Sequence, residues 1–281
     1  MVLLSLLFGA LVGVSLGLTG GGGAIFAVPL LVYGLGLAPR DAVAVSLSAV
    51  GFTASTGFLH RWRLGEVELR VGLLFAVAGM IGAPVGSYLA GLVPDAMLLI
   101  AFGVLMLVVA SRLWRQSAQV ESPRAAPCDA NGDDAGEGDL GEPGPACQRD
   151  ASGSLRLNSR CAALLLTIGV LTGVLAGLFG VGGGFVIVPA LVIYSRMPIQ
   201  RAVGTSLMVI ALVSFSGIIS QFSAGRSIPM TVTGLFIVGG VGGLLAGQRI
   251  GRRLSSRHLQ RVFAVAILAV AVFVISRNLL V

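Results

Sequence analysis

The chemistry this chain can offer lies mainly in backbone amides, presented by two runs of packed glycines. The first reads Gly17-Leu-Thr19-Gly20-Gly21-Gly22-Gly23-Ala-Ile-Phe-Ala-Val-Pro29. The second reads Gly177-Leu-Phe179-Gly180-Val-Gly182-Gly183-Gly184-Phe-Val-Ile-Val-Pro189, displaced by 160 positions. Glycine costs about 1 kcal/mol against alanine at a helical position, so such a cluster predicts a break between two helical segments. A segment starting at the break exposes unpaired N–H groups and the positive end of its dipole, which suits an anion without any charged side chain. The expected donors are the amides of Gly21 to Ala24 and of Val181 to Gly184. The candidate substrate-binding residues are Thr19, Gly20, Gly21, Gly22, Gly23 and Ser46 in one half. In the other they are Gly180, Gly182, Gly183, Gly184, Thr205 and Ser206. Ser46 and Ser206 are equivalent by the repeat, whereas Thr19 is answered by Phe179, so the site is expected to be asymmetric. Gly22→Val and Gly182→Val are expected to abolish activity.

Other polar groups narrow the chemistry further. Further hydroxyls follow each glycine run (Ser48, Thr53, Ser55 and Thr56; Ser214, Ser216 and Ser220), although such groups in membrane helices often bond their own backbone one turn back. No Asp, Glu or His falls inside an apolar segment. Asp41, Glu66, Glu68, Asp95, His60 and His258 all sit at segment ends, so no buried proton relay is visible. Arg249 follows Gln248 at a segment end and is read as an interface anchor. No Ser-His-Asp or metal-ligand constellation supports an intramembrane hydrolase, and no cofactor is expected. Cys128, Cys147 and Cys161 lack His partners and read as unpaired thiols. The run Gly180-Val-Gly182-Gly-Gly184 lacks the strand and downstream acid of a dinucleotide fingerprint.

These residues are embedded in sequence that is 56% hydrophobic and 11% charged, with mean hydropathy +0.95, which defines a polytopic membrane protein. Apolar segments fall at about 2–18, 24–37, 42–58, 69–91 and 96–114, then about 161–178, 184–195, 202–220, 230–250 and 259–276. The N-terminal run lacks a charged n-region and aligns with the run before the second glycine cluster, so it is read as part of the fold. The repeat extends beyond the glycines. Ala42-Val43 and Ser46-Leu47 match Ala202-Val203 and Ser206-Leu207, and Gly79, Gly82 and Gly86 match Gly240, Gly243 and Gly247 after one inserted residue. These later glycines are expected to serve close helix packing. The chain therefore divides into a first membrane repeat (1–115), an acidic disordered linker (116–159) and a second membrane repeat (160–281).

Arginine placement orients the halves. If each half crosses an odd number of times, the loops at 59–70, 111–160, 195–201 and 248–261 share one face. All 19 basic residues except Arg40, Arg226 and Arg277 then lie on it. An even number leaves hardly any bias. Inverted repeats follow, with the linker cytoplasmic and both termini outside. The expected fold is all-α, two inverted-topology repeats, each a Gly-broken helix pair followed by three transmembrane helices. The basic balance reflects membrane topology and not nucleic-acid binding.

The doubled Gly-Leu-(Thr/Phe)-Gly-x-Gly-Gly-(Ala/Gly)…Val-Pro blocks, the Ala-Val-x-x-Ser-Leu stretches at 42–47 and 202–207, and the late Gly-x-x-Gly-x-x-x-Gly patterns resemble the TauE/SafE family of membrane permeases. The resemblance covers nearly all of 8–115 and 160–275, and the long acidic linker departs from it. It implies a bacterial inner-membrane transporter of small sulfur-containing or carboxylated anions such as sulfite or organosulfonates. The partners expected are the small anion and the lipid bilayer. The site suggests export by alternating access. An anion channel using the same glycines, or a non-transport scaffold acting through the linker, are the alternatives.

Overall fold

The computed structural model describes residues 2–119, 148–149, 155–156, 159–195, 197–223, 229–251 and 256–279. Most of the acidic linker, with Cys128 and Cys147, lies outside these residues. Within it, Gln148–Arg149 and Leu155–Arg156 pair as a two-residue antiparallel ladder. Among the described residues ten helices follow one another. In the first half these are α1 (Val2–Thr19), α2 (Gly22–Gly34), α3 (Pro39–Arg63), α4 (Leu69–Leu92) and α5 (Asp95–Gln119). In the second they are α6 (Ser159–Phe179), α7 (Gly184–Ser195), α8 (Ile199–Ser223), α9 (Met230–Gly251) and α10 (Ser256–Leu279). Each apolar segment of the sequence is one of these helices. Seven of them are long and apolar enough to cross a membrane, since 18 residues rise about 27 Å. The protein is an all-α polytopic membrane protein.

Polar residues extend the helices past their apolar runs. Pro39 opens α3 with Asp41 in its first turn, and His60, Arg61 and Arg63 occupy its last, matching the helix dipole. The same helix ends in a Schellman arrangement. Gly65, at φ 70°, donates to Trp62 O and Glu66 N–H donates to Arg61 O. The short helix α2 is irregular: a 3-10 turn over Gly22–Phe26, one α turn, then a π turn over Leu30–Gly34. Pro29 has no N–H for the Ile25 carbonyl, and the wider turn begins directly after it.

Helices pair across the halves. Helix α1 packs chiefly on α9, α6 on α4, α5 on α10 and α3 on α8. The α1–α9 and α4–α6 seams are glycine faces laid directly on backbone: Gly243 meets Ala10 O, Gly247 meets Val14 O, Gly82 meets Val170 O and Gly86 meets Val174 O. The late glycines thus serve close packing. Adjacent positions offer a test. Gly243 has no room for a methyl group, whereas Gly242 faces open space. We expect Gly242→Ala to raise thermal stability by up to about 1 kcal/mol and Gly243→Ala to lower it by about 1–3 kcal/mol, read by melting of the purified protein in detergent.

The central helices are α3 and α8, with 72% of each span buried against 50% or less in the other long spans. They are repeat mates lying side by side in opposite directions. Gly51 faces Ser214, Gly57 faces Leu207 and Gly217 faces Leu47. The α3–α4 turn folds onto the start of α8. Arg61 pairs with Glu66 at 2.9 Å and donates to Gln200 O, Gly204 packs on Glu66 O, and Arg201 stands 3.7 Å from Glu68. Because Thr53 meets Gly240 and Gly57 meets Leu244, α9 runs parallel to α3 and ends at the same end of the bundle.

Candidate functional site

The two glycine clusters break the helices in the same way. At the end of α1, Gly20 (φ 74°) donates its N–H to Leu16 O at 2.8 Å, and at the end of α6, Gly180 (φ 68°) donates to Ala176 O at 2.8 Å. Each is a left-handed cap that a residue with a side chain adopts at a cost, which explains why glycine stands there. Gly182 and Gly183 also have positive φ, 68° and 66°. After the turn each chain doubles back. Gly23 packs on Ser15 and Leu16, and Gly34 on Phe8, so α2 returns along α1.

The breaks then cross each other. A Cβ added to Gly184 would lie 2.5 Å from Gly21 Cα, and one added to Gly21 would lie 2.6 Å from Gly184 Cα. Bare backbone from one half therefore touches bare backbone from the other. Around this crossing sit Val203 against Gly20, Val43 against Gly180, and Ile210 and Val50 against Gly182. The glycines are brought together by α3 and α8, the two most buried helices.

The candidate hydroxyls divide by role. Ser46 on α3 donates to Gly180 O at 2.7 Å, and Ser206 on α8 donates to Gly20 O. Each serine thus ties down the break of the opposite half. A hydroxyl has one proton, so in this conformation neither donates to a ligand. Thr19 donates to Ser15 O and accepts from Gly23 N–H at 3.2 Å, capping the start of α2. Its counterpart Phe179 cannot cap α7, where Val186 and Ile187 amides instead reach back to Gly183 O. Thr205 is turned to the α3–α4 connection, accepting from Glu68 N–H at the start of α4. Ser48, Ser55 and Thr56 bond their own helix, and Ser216 donates to Met80 O on α4.

What remains for an anion at the crossing is backbone and one hydroxyl: Ser214 on α8 is fully buried, holds no hydrogen bond and lies 3.9 Å from a Cβ built on Gly182. Among the described residues the amides of Gly21, Val181 and Gly182 hold no hydrogen bond to the chain. Gly22 is less constrained than its neighbours. A Cβ there meets only the Thr19 side chain, at 3.2 Å, and its φ is not positive. A cavity of about 540 Å³ lies elsewhere, between α1, α2 and α10, lined by Leu11, Phe26, Tyr33, Phe263 and other apolar groups. Among the described residues, Ser15 and Tyr33 bring the only side-chain polar groups to this otherwise apolar lining. Arg249 is exposed, while its neighbour Gln248 is buried, a residue the sequence reading passed over. No group of three metal-binding side chains occurs among the described residues.

Paired broken helices meeting inside a bundle of apolar spans are the build of a membrane transporter. The sulfite exporter TauE/SafE family profile matches residues 5–274. A probable membrane transporter protein of Xylella fastidiosa is 37% identical over 276 residues, covering 96% of this chain and 93% of its own length. The probable membrane transporter protein YunE of Bacillus subtilis is 26% identical over 279 residues, covering 97% and 94%. No solved structure matches. The chain belongs to the TauE/SafE family and is a membrane transporter.

Proposed function

We propose that the protein is a secondary transporter, in the export direction, of small anions of the sulfite, organosulfonate or carboxylate kind, held where the two glycine breaks cross. The observation that carries this reading is the contact between Gly21 and Gly184 with unbonded amides beside it. Helix starts and bare amides are an anion site by physics alone. The antiparallel α3 and α8 support two inverted repeats, and these give the site an equivalent approach from each side, as alternating access needs. With the arginine-bearing end of the bundle in the cytoplasm, both termini lie outside the bacterial inner membrane. Inside-negative potential then favours anion exit by about 2.3 kcal/mol per charge per 100 mV, so export needs no buried carboxylate.

The test is flux in proteoliposomes with labelled sulfite, sulfate, isethionate, sulfoacetate and acetate. We expect saturable flux of at least one of these, lost in Gly182→Val, where the new side chain would drive into Ile210 and Val50. Undiminished flux in that variant, or no flux of any of these anions by the native protein, would refute the reading.

A further inference from the structure

Besides Ser214 at the second break, three buried side chains with polar atoms that hold no hydrogen bond stand level with the ends of α1 and α6. Gln221 on α8 is 1% exposed, Ser87 on α4 is 5% and Gln248 on α9 is 6%. Neither amide atom of either glutamine is bonded, nor is the Ser87 hydroxyl. Folded proteins satisfy the large majority of such groups, so each unsatisfied one calls for an explanation.

Their positions follow a pattern. Helices α4 and α8 run parallel, with Gly79 at Val213 and Met80 O receiving the Ser216 hydroxyl. Eight residues on from the first pair, Ser87 comes level with Gln221. The antiparallel α3–α8 pairing, Leu47 with Gly217, puts Val43 at that same height one turn further along, and Gly180 packs on Val43. A Cβ on Gly177, in the last turn of α6, would lie 2.8 Å from the Ser87 amide nitrogen. Ser87 and Gln221 therefore flank the end of α6 where the second break begins. Helices α3 and α9 repeat the arrangement at the other end. Continuing from Thr53–Gly240 by eight residues sets Arg61 level with Gln248, and a Cβ on Gly17 would lie 3.0 Å from the Gln248 nitrogen. Ser87 and Gln248 are repeat mates, as are Gln221 and Arg61.

We propose that Ser87 and Gln221 form a binding station for a small oxyanion at the Gly180 end of the crossed breaks. This rests on the reading of the chain as an anion transporter. The primary amide supplies two N–H donors and the hydroxyl a third, in a site from which water is largely excluded. The station is neutral, so it engages an oxyanion by hydrogen bonds and releases it without an ion pair to break. Its counterpart pairs Gln248 with the level of Arg61, whose guanidinium is bonded to Glu66 and Gln200 O. The two mouths thus differ in how close the cation comes: Arg61 is level with Gln248, whereas at the other end Arg40 sits about one turn beyond Val43, paired with Asp95 and bonded to Val93 O. That asymmetry gives the two sides unequal affinity for the same anion.

The test uses full-length protein in proteoliposomes and whichever of sulfite, sulfate, isethionate, sulfoacetate or acetate the native protein carries fastest. Gln221→Leu and Ser87→Ala remove unbonded polar atoms with little change of shape, so melting temperature stays level or rises. We expect the half-saturating concentration to rise about tenfold in each, with Gln221→Met behaving like Gln221→Leu should the latter fail to fold. Unchanged half-saturation with level or raised melting temperature would overturn the station. If Gly182→Val abolishes flux at the same time, the crossing site stands and only the station falls. If the native protein carries none of the anions, both fall together.

Discussion

Gly184→Ala is expected to stop transport outright, and Gly21→Ala to do the same from the other half. At these two positions the smallest side chain has nowhere to go. The Cβ on Gly184 would lie 2.5 Å from Gly21 Cα and 2.5 Å from Ile210 Cδ1, and only the second of these can swing away. Relief requires the two breaks to separate, which displaces the amides proposed to hold the anion. Overpacking of this kind costs about 1–3 kcal/mol, enough to move a crossing point without unfolding a bundle held by four long helix seams. Gly22→Ala is the control. Its methyl would meet only the Thr19 side chain at 3.2 Å, on backbone that any residue tolerates. Transport should persist there at near-native rate, with the three variants inserting in the membrane to similar levels. A Gly184→Ala protein with native flux would remove the crossing from the mechanism.

That contrast shows where sequence reasoning stops. The doubled clusters announced two breaks, and glycine content explains why helices end there. Nothing local distinguishes Gly22, where only the Thr19 side chain has to give way, from Gly21, where backbone blocks any side chain, because the crowding comes from Gly184 on the other half. The segment reading succeeded for a related reason. Helix length and apolar content are properties of one stretch, so even the 12-residue α7 emerged with its boundaries in place, while α3 grew past its apolar run because Pro39 and Arg63 can end a helix outside the hydrocarbon. Ser46 and Ser206 were singled out by repeat equivalence, but their partners lie 134 and 186 positions away. Spacing along one helix cannot show that a hydroxyl is directed at the opposite half. Gln221 and Gln248 were visible only as polar residues near span ends, and burial turned them into candidates.

The second large effect concerns the two serines. Ser46→Ala and Ser206→Ala should each impair transport strongly, and for a reason that differs from lost substrate contact. Each leaves a break carbonyl, Gly180 O or Gly20 O, without its buried donor, and an orphaned buried acceptor costs about 1–3 kcal/mol. The serines act reciprocally, α3 fixing the break that follows α6 and α8 fixing the break that follows α1. Removing one should loosen one break and leave the other set, so each single variant should keep residual flux while the double variant loses it. Thr at either position retains the hydroxyl and should restore most of the activity where its extra methyl is accommodated. Thermal melting separates this role from ligand contact. A tie between helices predicts a lower melting temperature in the absence of any anion, whereas a pure ligand contact predicts a change only when the anion is added. Ser206 also reaches Val203 O at 2.8 Å on its own helix, and Ser46 has no such second acceptor. The single proton of Ser206 is therefore shared between two carbonyls, so Ser206→Ala should be the milder of the pair. Equal flux and melting temperature in Ser46→Ala and the native protein would mean that the breaks hold their shape without these ties.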